Sequence, residues 1–182
     1  MTSPSTASEQ DLRYPIGRAD TSSPLMAGER AQRIHDLEAA PAQLRRAVAG
    51  LTDAQLDTPY RPGGWTVRQT VHHVADSHMN AFVRFRLGLT EDNPTIKPYD
   101  EKAWTELADM RLPIEVSLKL IEALHERLVH LLRSQPGAVW QRQIMHPENG
   151  PMTLDALLSM YAWHGKHHTA HITSLRQRQG WS

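Results

Sequence analysis

The chain has 182 residues, enough for one domain with a sizeable hydrophobic core, and it contains no cysteine. Disulfide bonds, thiolate metal sites and a cysteine nucleophile are therefore excluded. Twenty basic residues balance twenty acidic ones, so no net charge attracts nucleic acid or an acidic membrane surface. No apolar run approaches about 18 residues and no signal-peptide pattern is present, so we expect a soluble, cytoplasmic protein with no membrane or nucleic-acid partner.

The N-terminal segment differs in composition from the rest of the chain. Residues 1–24 are rich in Ser, Thr, Pro and Ala and are expected to be flexible, except that residues 12–16 carry apolar groups able to pack on the body. The remainder, residues 25–182, is expected to form a single helical domain.

Helical periodicity predicts the first elements of that domain. A helix begins near Ala27 and runs to about Ala39. Pro41 is expected to kink or interrupt it, because proline has no backbone N–H to donate. The helical period resumes over residues 42–51, and a short turn follows through Leu56.

The next segments alternate loops and helices. Residues 58–64 contain two prolines and two glycines, which predicts a loop. Thr66 is then a good N-cap for a long helix through about Leu89. Residues 90–99, again with two prolines, are predicted to lead into a short helix over residues 100–110.

The second half of the chain repeats this pattern. Pro113 suits the first turn of a helix, and apolar spacing predicts a long helix that ends at Pro136. Residues 141–152 are expected to be irregular or a small hairpin, and Thr153 to start the last long helix. Four long amphipathic helices and no convincing strands predict an all-α fold, a four-helix bundle with short extra helices.

The last predicted helix holds four histidines within residues 164–171. On a helix each residue advances by about 100°, so residues four apart share a face. His164 and His168 fall on the apolar stripe, whereas His171 and His167 lie further from it. Two imidazoles at this spacing on a buried face can point to one metal ion, so His164 and His168 are candidate ligands.

A second group of histidines, His72, His73 and His78, belongs to the helix that begins after Thr66. Periodicity ranks His73 and His78 about equally for burial, with His72 behind, and so leaves the third ligand open. Any of the three is equally explained as a core histidine bonded to a carbonyl. Asp76 follows His73 by three residues and is either an orienting partner for an imidazole or a solvated carboxylate.

Three segments together resemble the YfiT-like branch of the DinB superfamily: GGWTVRQTVHHVADSH at 63–78, TIKPYDEKAW at 95–104 and YAWHGKHHTAHI at 161–172. The similarity extends over nearly the whole chain. It implies a four-helix bundle of the up-down-down-up kind, one divalent metal ion per chain, Zn2+ or Ni2+, and a homodimer.

The same resemblance implies the ligand set. Family members hold the ion with three histidines, one on the second helix and an H-x-x-x-H pair on the last. The first of these follows a tryptophan by eight residues, which places it at His73 after Trp65. The pair maps onto His164 and His168.

The resemblance also implies an enzyme. YfiT-like proteins are described as candidate metal-dependent hydrolases, and better understood relatives resemble S-transferases that join a low-molecular-weight thiol, bacillithiol in particular, to electrophiles. We expect a three-histidine metal site that activates such a thiol. A hydrolase with metal-activated water is the alternative, with Asp76 and His167 as candidate bases, although neither lies in an H-E-x-x-H arrangement. A non-catalytic metal-binding bundle is the second alternative.

Overall fold

Four long helices form the body of the molecule, a computed structural model that describes residues 12–22 and 24–181. The predicted all-α bundle with short extra helices is confirmed. Two 3₁₀ turns, Ala108–Arg111 and Gly137–Gln141, and an antiparallel hairpin of β1 (Gln143–His146) and β2 (Gly150–Thr153) complete the structure. The helices are α1 (Ala27–Val48), α2 (Asp53–Leu56), α3 (Val67–Thr90), α4 (Glu101–Trp104), α5 (Glu115–Arg133) and α6 (Leu154–Gln179).

The long helices do not pack in simple sequence order. The principal contacts of α1 are with α5 and α6, and those of α3 are also with α5 and α6. In an up-down-up-down bundle each helix would pack chiefly on the next one along the chain. This pairing places α1 diagonally opposite α3. Helices α1 and α6 run away from the hairpin end of the bundle and α3 and α5 run toward it, which is the up-down-down-up arrangement. Among the described residues, no helix has both the length and the apolar character needed to cross a membrane.

Two apolar clusters share the interior, and a polar layer lies between them. The cluster beside the hairpin takes Leu37, Phe85, Leu128 and Leu157 from the four long helices, and the cluster at the other end takes Leu44, Val71, Ile121 and Ile172. The gap between these two sets holds His78 on α3, His125 on α5 and His164 on α6. The bundle therefore carries imidazole rings across its middle, where a core of this kind normally has aliphatic side chains.

Two predicted elements differ from the structure. Helix α1 is continuous from Ala27 to Val48, so the expected break at Pro41 is wrong. Pro41 removes one backbone donor, but buried leucines on both sides of it hold the helix against the core. The single helix expected over residues 100–110 is instead the four-residue α4, which ends at Thr105, and a separate 3₁₀ turn at Ala108–Arg111.

The start of α6 is fixed by a buried carboxylate. Asp155 is fully buried and accepts hydrogen bonds from Arg30 Nε at 2.8 Å, Gln141 Nε2 at 2.9 Å and the Leu25 backbone N–H at 3.2 Å. These contacts tie α6 to α1 and to the turn before the hairpin. Because both charged groups are paired and largely shielded from water, removing one leaves the other without its partner.

We expect Asp155→Ala to lower the free energy of unfolding by about 3 kcal/mol, since the Arg30 guanidinium would stay largely buried without a counter-charge. Glu38→Ala is the control, because Glu38 and Arg133 form a solvent-exposed ion pair, and such pairs contribute little to stability. Urea unfolding followed by circular dichroism measures both. A loss of unfolding free energy in Asp155→Ala no larger than that in Glu38→Ala would contradict the role of Asp155 as a buried counter-charge for Arg30.

Candidate metal centre

Three imidazole rings converge where α3 crosses α6. His73, His164 and His168 each offer one ring nitrogen, and these nitrogens all lie within 4.8 Å of one another. The Nε2 atoms of His73 and His164 are 3.3 Å apart. The structure thus brings together the three histidines that the sequence analysis selected, and it does so between two segments about 90 residues apart.

Local sequence explains how each ring is placed. Thr66 caps α3 by accepting from the Gln69 N–H at 3.1 Å, which fixes the start of the helix that carries His73. His164 and His168 occupy successive turns of α6. Gly165 lies between them, and a Cβ there would stand 3.3 Å from Ala40 Cβ, so its lack of a side chain lets α6 approach α1 closely.

Burial keeps these rings neutral. Desolvation lowers the pKa of His73 to about 4. For His164 and His168 desolvation comes first and the neighbouring histidines second, and together they hold the pKa well below its usual value. A neutral imidazole has one nitrogen with a free lone pair, which is what a metal ion requires.

The geometry fits a divalent ion. Two nitrogen ligands of a tetrahedral zinc ion, each bonded at about 2.0–2.1 Å, lie roughly 3.3 Å apart, as the nitrogens of His73 and His164 do. His168 Nδ1 is buried and has no hydrogen-bond partner among the described residues. Three neutral nitrogens with no carboxylate among them are a donor set suited to zinc or nickel.

A cavity of about 180 Å³ leads to the cluster from the hairpin side, and His164 forms part of its wall. Arg84 lies in the lining and donates to the Tyr161 hydroxyl at 2.8 Å. Glu101 lies in the same wall, and its pKa is raised, chiefly by desolvation. The cavity wall is largely apolar, with one group of each charge in it.

Comparison with known protein families identifies the superfamily of this chain. The DinB superfamily profile matches residues 36–172, which is most of the chain. The chain belongs to the DinB superfamily.

Named proteins and a solved structure resemble this DinB protein over nearly its whole length. A protein from Bacillus mycoides (strain KBAB4), named "putative metal-dependent hydrolase", is 52% identical over 172 residues, or 94% of this chain and 99% of that protein. A Bacillus cereus (strain 03BB102) protein of the same name is 53% identical over 171 residues, with the same coverage. The solved structure of YfiT from Bacillus subtilis, described as a probable metal-dependent hydrolase with an unusual four-helix bundle topology, is 49% identical. It matches with a TM-score of 0.92 over 94% of this chain and 99% of that one, which confirms the YfiT-like resemblance.

A more distant DinB-like fold is that of the mycothiol-dependent maleylpyruvate isomerase. It is 15% identical with a TM-score of 0.64, and the match covers 79% of this chain and 60% of that one. At this identity the likeness shows the fold alone.

The other two histidines of the α3 group lie outside the three-ring cluster. His78 is fully buried on the far side of His164, where its Nε2 lies 3.1 Å from His164 Nδ1. His72 points toward α5 and bonds Ser117 Oγ at 2.7 Å and the Leu112 carbonyl at 3.1 Å. His72 is thus a core histidine, whereas His78 contacts the three-ring cluster through the ring of His164.

The remaining pair on α6 is more buried than its position on the helix predicted. His167 stacks on Trp163 with ring centroids 4.2 Å apart, and His171 stacks on Tyr60 at 4.0 Å. The N-terminal segment also covers this side of α6, since the Arg13 carbonyl lies 3.2 Å from His171 Nε2.

The prediction that residues 1–24 are flexible falls in part on residues 1–11 and 23, which lie outside the described residues.

The sequence analysis used Trp65 only as a marker for His73, and it did not identify His125 or Arg84 as part of the site. Trp65 packs beside His73, with ring centroids 4.4 Å apart. His125 is buried on α5 and bonds His78. A signal for His125 existed, because it follows Ile121 by four residues and so shares the apolar face of α5. Arg84 had no such signal, since nothing in the sequence shows which arginine faces a cavity.

Neither candidate base is hydrogen-bonded to the cluster in the described structure. Asp76 is partly buried, and its pKa is raised to about 6, chiefly by desolvation and then by Asp109. His167 lies beside His168, with ring centroids 5.1 Å apart, and its pKa is lowered to about 4, chiefly by burial.

The buried histidines predict acid sensitivity of the metal-free protein. His73 ionises near pH 4 when folded and near 6.5 when unfolded, so the unfolded state binds more protons between these values. The free energy of unfolding therefore falls as the pH drops through this range, by up to roughly 3 kcal/mol for His73 alone. The raised pKa of Asp76 changes the free energy of unfolding with pH in the opposite direction, but Asp76 is one group against several buried histidines.

Urea unfolding in the presence of a chelator, at about pH 7.5 and about pH 5, tests this expectation. His73→Phe removes one titrating ring and is expected to make the dependence shallower. Equal stability at the two pH values would show that the rings are not neutral and buried as the structure has them.

Proposed function

We propose that this protein is a divalent-metal-dependent enzyme that activates a low-molecular-weight thiol of the bacillithiol type for transfer to an electrophile. His73, His164 and His168 would hold one Zn2+ or Ni2+ ion per chain. The observation that carries the proposal is the convergence of three neutral imidazole nitrogens beside a cavity whose wall includes His164. The names of its relatives support dependence on a metal.

The neutral ligand set determines the chemistry. A divalent ion held by these three neutral imidazoles would keep its full charge, and it would lower the pKa of a coordinated thiol or water enough to make it a nucleophile at neutral pH. The chain supplies no cysteine, so the sulfur must come from a small molecule. A protein of the same fold is named for its dependence on mycothiol, so the fold accommodates a thiol in at least one case.

The cavity lining gives the substrates their contacts. Arg84 is held by the Tyr161 hydroxyl and can form paired hydrogen bonds to a carboxylate or another anionic group. Glu101, on the same wall, suits an ammonium or a hydroxyl donor. In the transfer step the sulfur forms a bond to an electrophilic carbon, the bond from that carbon to its leaving group breaks, and the thiol proton passes to solvent.

Metal content tests the ligand assignment directly. We expect His73→Ala, His164→Ala and His168→Ala each to lose most of the bound metal, because two imidazoles hold a divalent ion far less tightly than three. Elemental analysis of purified protein measures this. His130→Ala is the control, since His130 is exposed on α5. Undiminished metal in any of the three variants removes that residue from the site.

Thiol transfer is tested with the metal-loaded protein, bacillithiol and a chromogenic electrophile. We expect conjugation to exceed that of the chelated protein by at least about 100-fold, the usual scale for acid–base activation of one reactant. His73→Ala should match the chelated protein, and His130→Ala should match the wild type. Equal rates with and without metal, for bacillithiol and other cellular thiols alike, would refute thiol transfer.

Hydrolysis by metal-activated water is the second candidate. Two observations favour it: the names of the relatives, and the raised pKa of Asp76, which lies one helical turn from His73 and would exchange protons near neutral pH. Ester or amide turnover that needs the metal, needs no thiol and falls in Asp76→Asn would establish this reaction instead. Metal binding without either activity would leave a non-catalytic metal-binding bundle. Assembly as a homodimer stays a prediction from the family resemblance.

A further inference from the structure

A chain of hydrogen bonds runs from the proposed metal site through all four long helices. His164 Nδ1 on α6 lies 3.1 Å from His78 Nε2 on α3. His78 Nδ1 lies 2.8 Å from His125 Nε2 on α5. His125 Nδ1 lies 2.6 Å from the Leu37 carbonyl oxygen on α1. We call these three rings and this carbonyl the histidine relay.

The carbonyl end sets the direction of every bond in the relay. A carbonyl oxygen only accepts, so His125 Nδ1 must carry the proton. In a neutral ring Nε2 is then the acceptor, which requires His78 Nδ1 to be the donor. By the same step His78 Nε2 accepts from His164 Nδ1. His164 Nε2 is left with a lone pair, and this is the nitrogen that faces His73 across 3.3 Å.

Pro41 explains why the Leu37 carbonyl can accept a hydrogen bond from His125. In a regular helix the N–H of residue 41 donates to the carbonyl of residue 37, but proline has no N–H. The carbonyl thus loses its usual donor while remaining inside the bundle, and the imidazole of His125 takes that place. A proline in the middle of α1 would otherwise only destabilise the helix.

From this geometry we infer that His78 and His125 are positioning residues for the proposed metal site. The histidine relay, anchored on the carbonyl that Pro41 frees, fixes His164 as the Nδ1–H tautomer and turns its Nε2 lone pair toward the ion. The inference rests on the proposed ligand set. Partners of this kind orient metal-binding histidines in many proteins, and their loss costs about 10–100-fold in metal affinity.

The first test uses the metal-free wild-type protein. Long-range ¹H–¹⁵N spectra of the histidine side chains distinguish a protonated from an unprotonated ring nitrogen. We expect His164, His78 and His125 all to carry the proton on Nδ1. A proton on Nε2 of His164 in the folded, metal-free protein overturns the inference, and this result needs no variant and no enzymatic activity.

The second test is zinc affinity, measured by competition with a chromophoric chelator. We expect His78→Phe and His125→Leu to weaken zinc binding by about 10–100-fold, while His125→Gln, whose amide still offers a donor and an acceptor, loses less than about threefold. The matched control is His72→Phe, which also removes a buried imidazole with two hydrogen bonds from α3 but leaves the relay intact. Its zinc affinity should stay near that of the wild type.

The outcomes separate the relay from the proposed reaction. Wild-type zinc affinity in both His78→Phe and His125→Leu would overturn the inference, as would equal losses in His125→Gln and His125→Leu. If a variant fails to fold, as judged by circular dichroism, the wild-type spectra still decide. A relay confirmed in a protein that conjugates no thiol would refute only the proposed reaction.

Discussion

The burial of imidazole rings in the middle of an otherwise apolar helix bundle is the constraint on which the rest of this structure depends. A buried polar group without a hydrogen-bond partner costs about 1–3 kcal/mol, so each ring needs a partner. His72 finds one on α5, and His171 finds one in the N-terminal segment. In the three-ring cluster His73 and His164 can share one hydrogen bond, but His168 Nδ1 is buried with no partner among the described residues. What satisfies such a cluster is a cation, and this is the physical reason to regard it as a site.

The same constraint explains why a proline in the middle of α1 does not break the helix. Proline in a helix removes one donor and leaves one carbonyl without its usual partner. Local sequence shows the lost donor, so a kink or break at Pro41 was the reasonable expectation. It does not show that the orphaned carbonyl of Leu37 meets His125, which is 88 residues away. Whether a local defect breaks a helix depends on such distant partners.

Much of the fold could be predicted from the sequence because it depends on spacing. The long helices follow from apolar periodicity and from caps such as Thr66 and Thr153, and the pairing of His164 with His168 follows from the pitch of one helix. The choice between His73 and His78 could not be made in this way. Both are buried on α3, but they approach opposite nitrogens of the same His164 ring. Which nitrogen each one meets depends on how α3 crosses α6, and no helical wheel contains that information.

A helical wheel also assumes that a helix has one buried face, and α6 does not meet this assumption. Helices α1 and α3 cover two sides of α6, and Tyr60 and the segment around Tyr14 cover the side with His167 and His171. The cavity with Arg84 reaches α6 from the hairpin side. This enclosure has an energetic consequence for the metal-free protein, which must keep several imidazoles neutral and out of water. An ion that binds only the folded state offsets this cost by mass action, so the stability of the fold and the occupancy of the centre are linked. The layer that weakens the bundle as a hydrophobic core is thus the layer through which a bound ion would stabilise the fold.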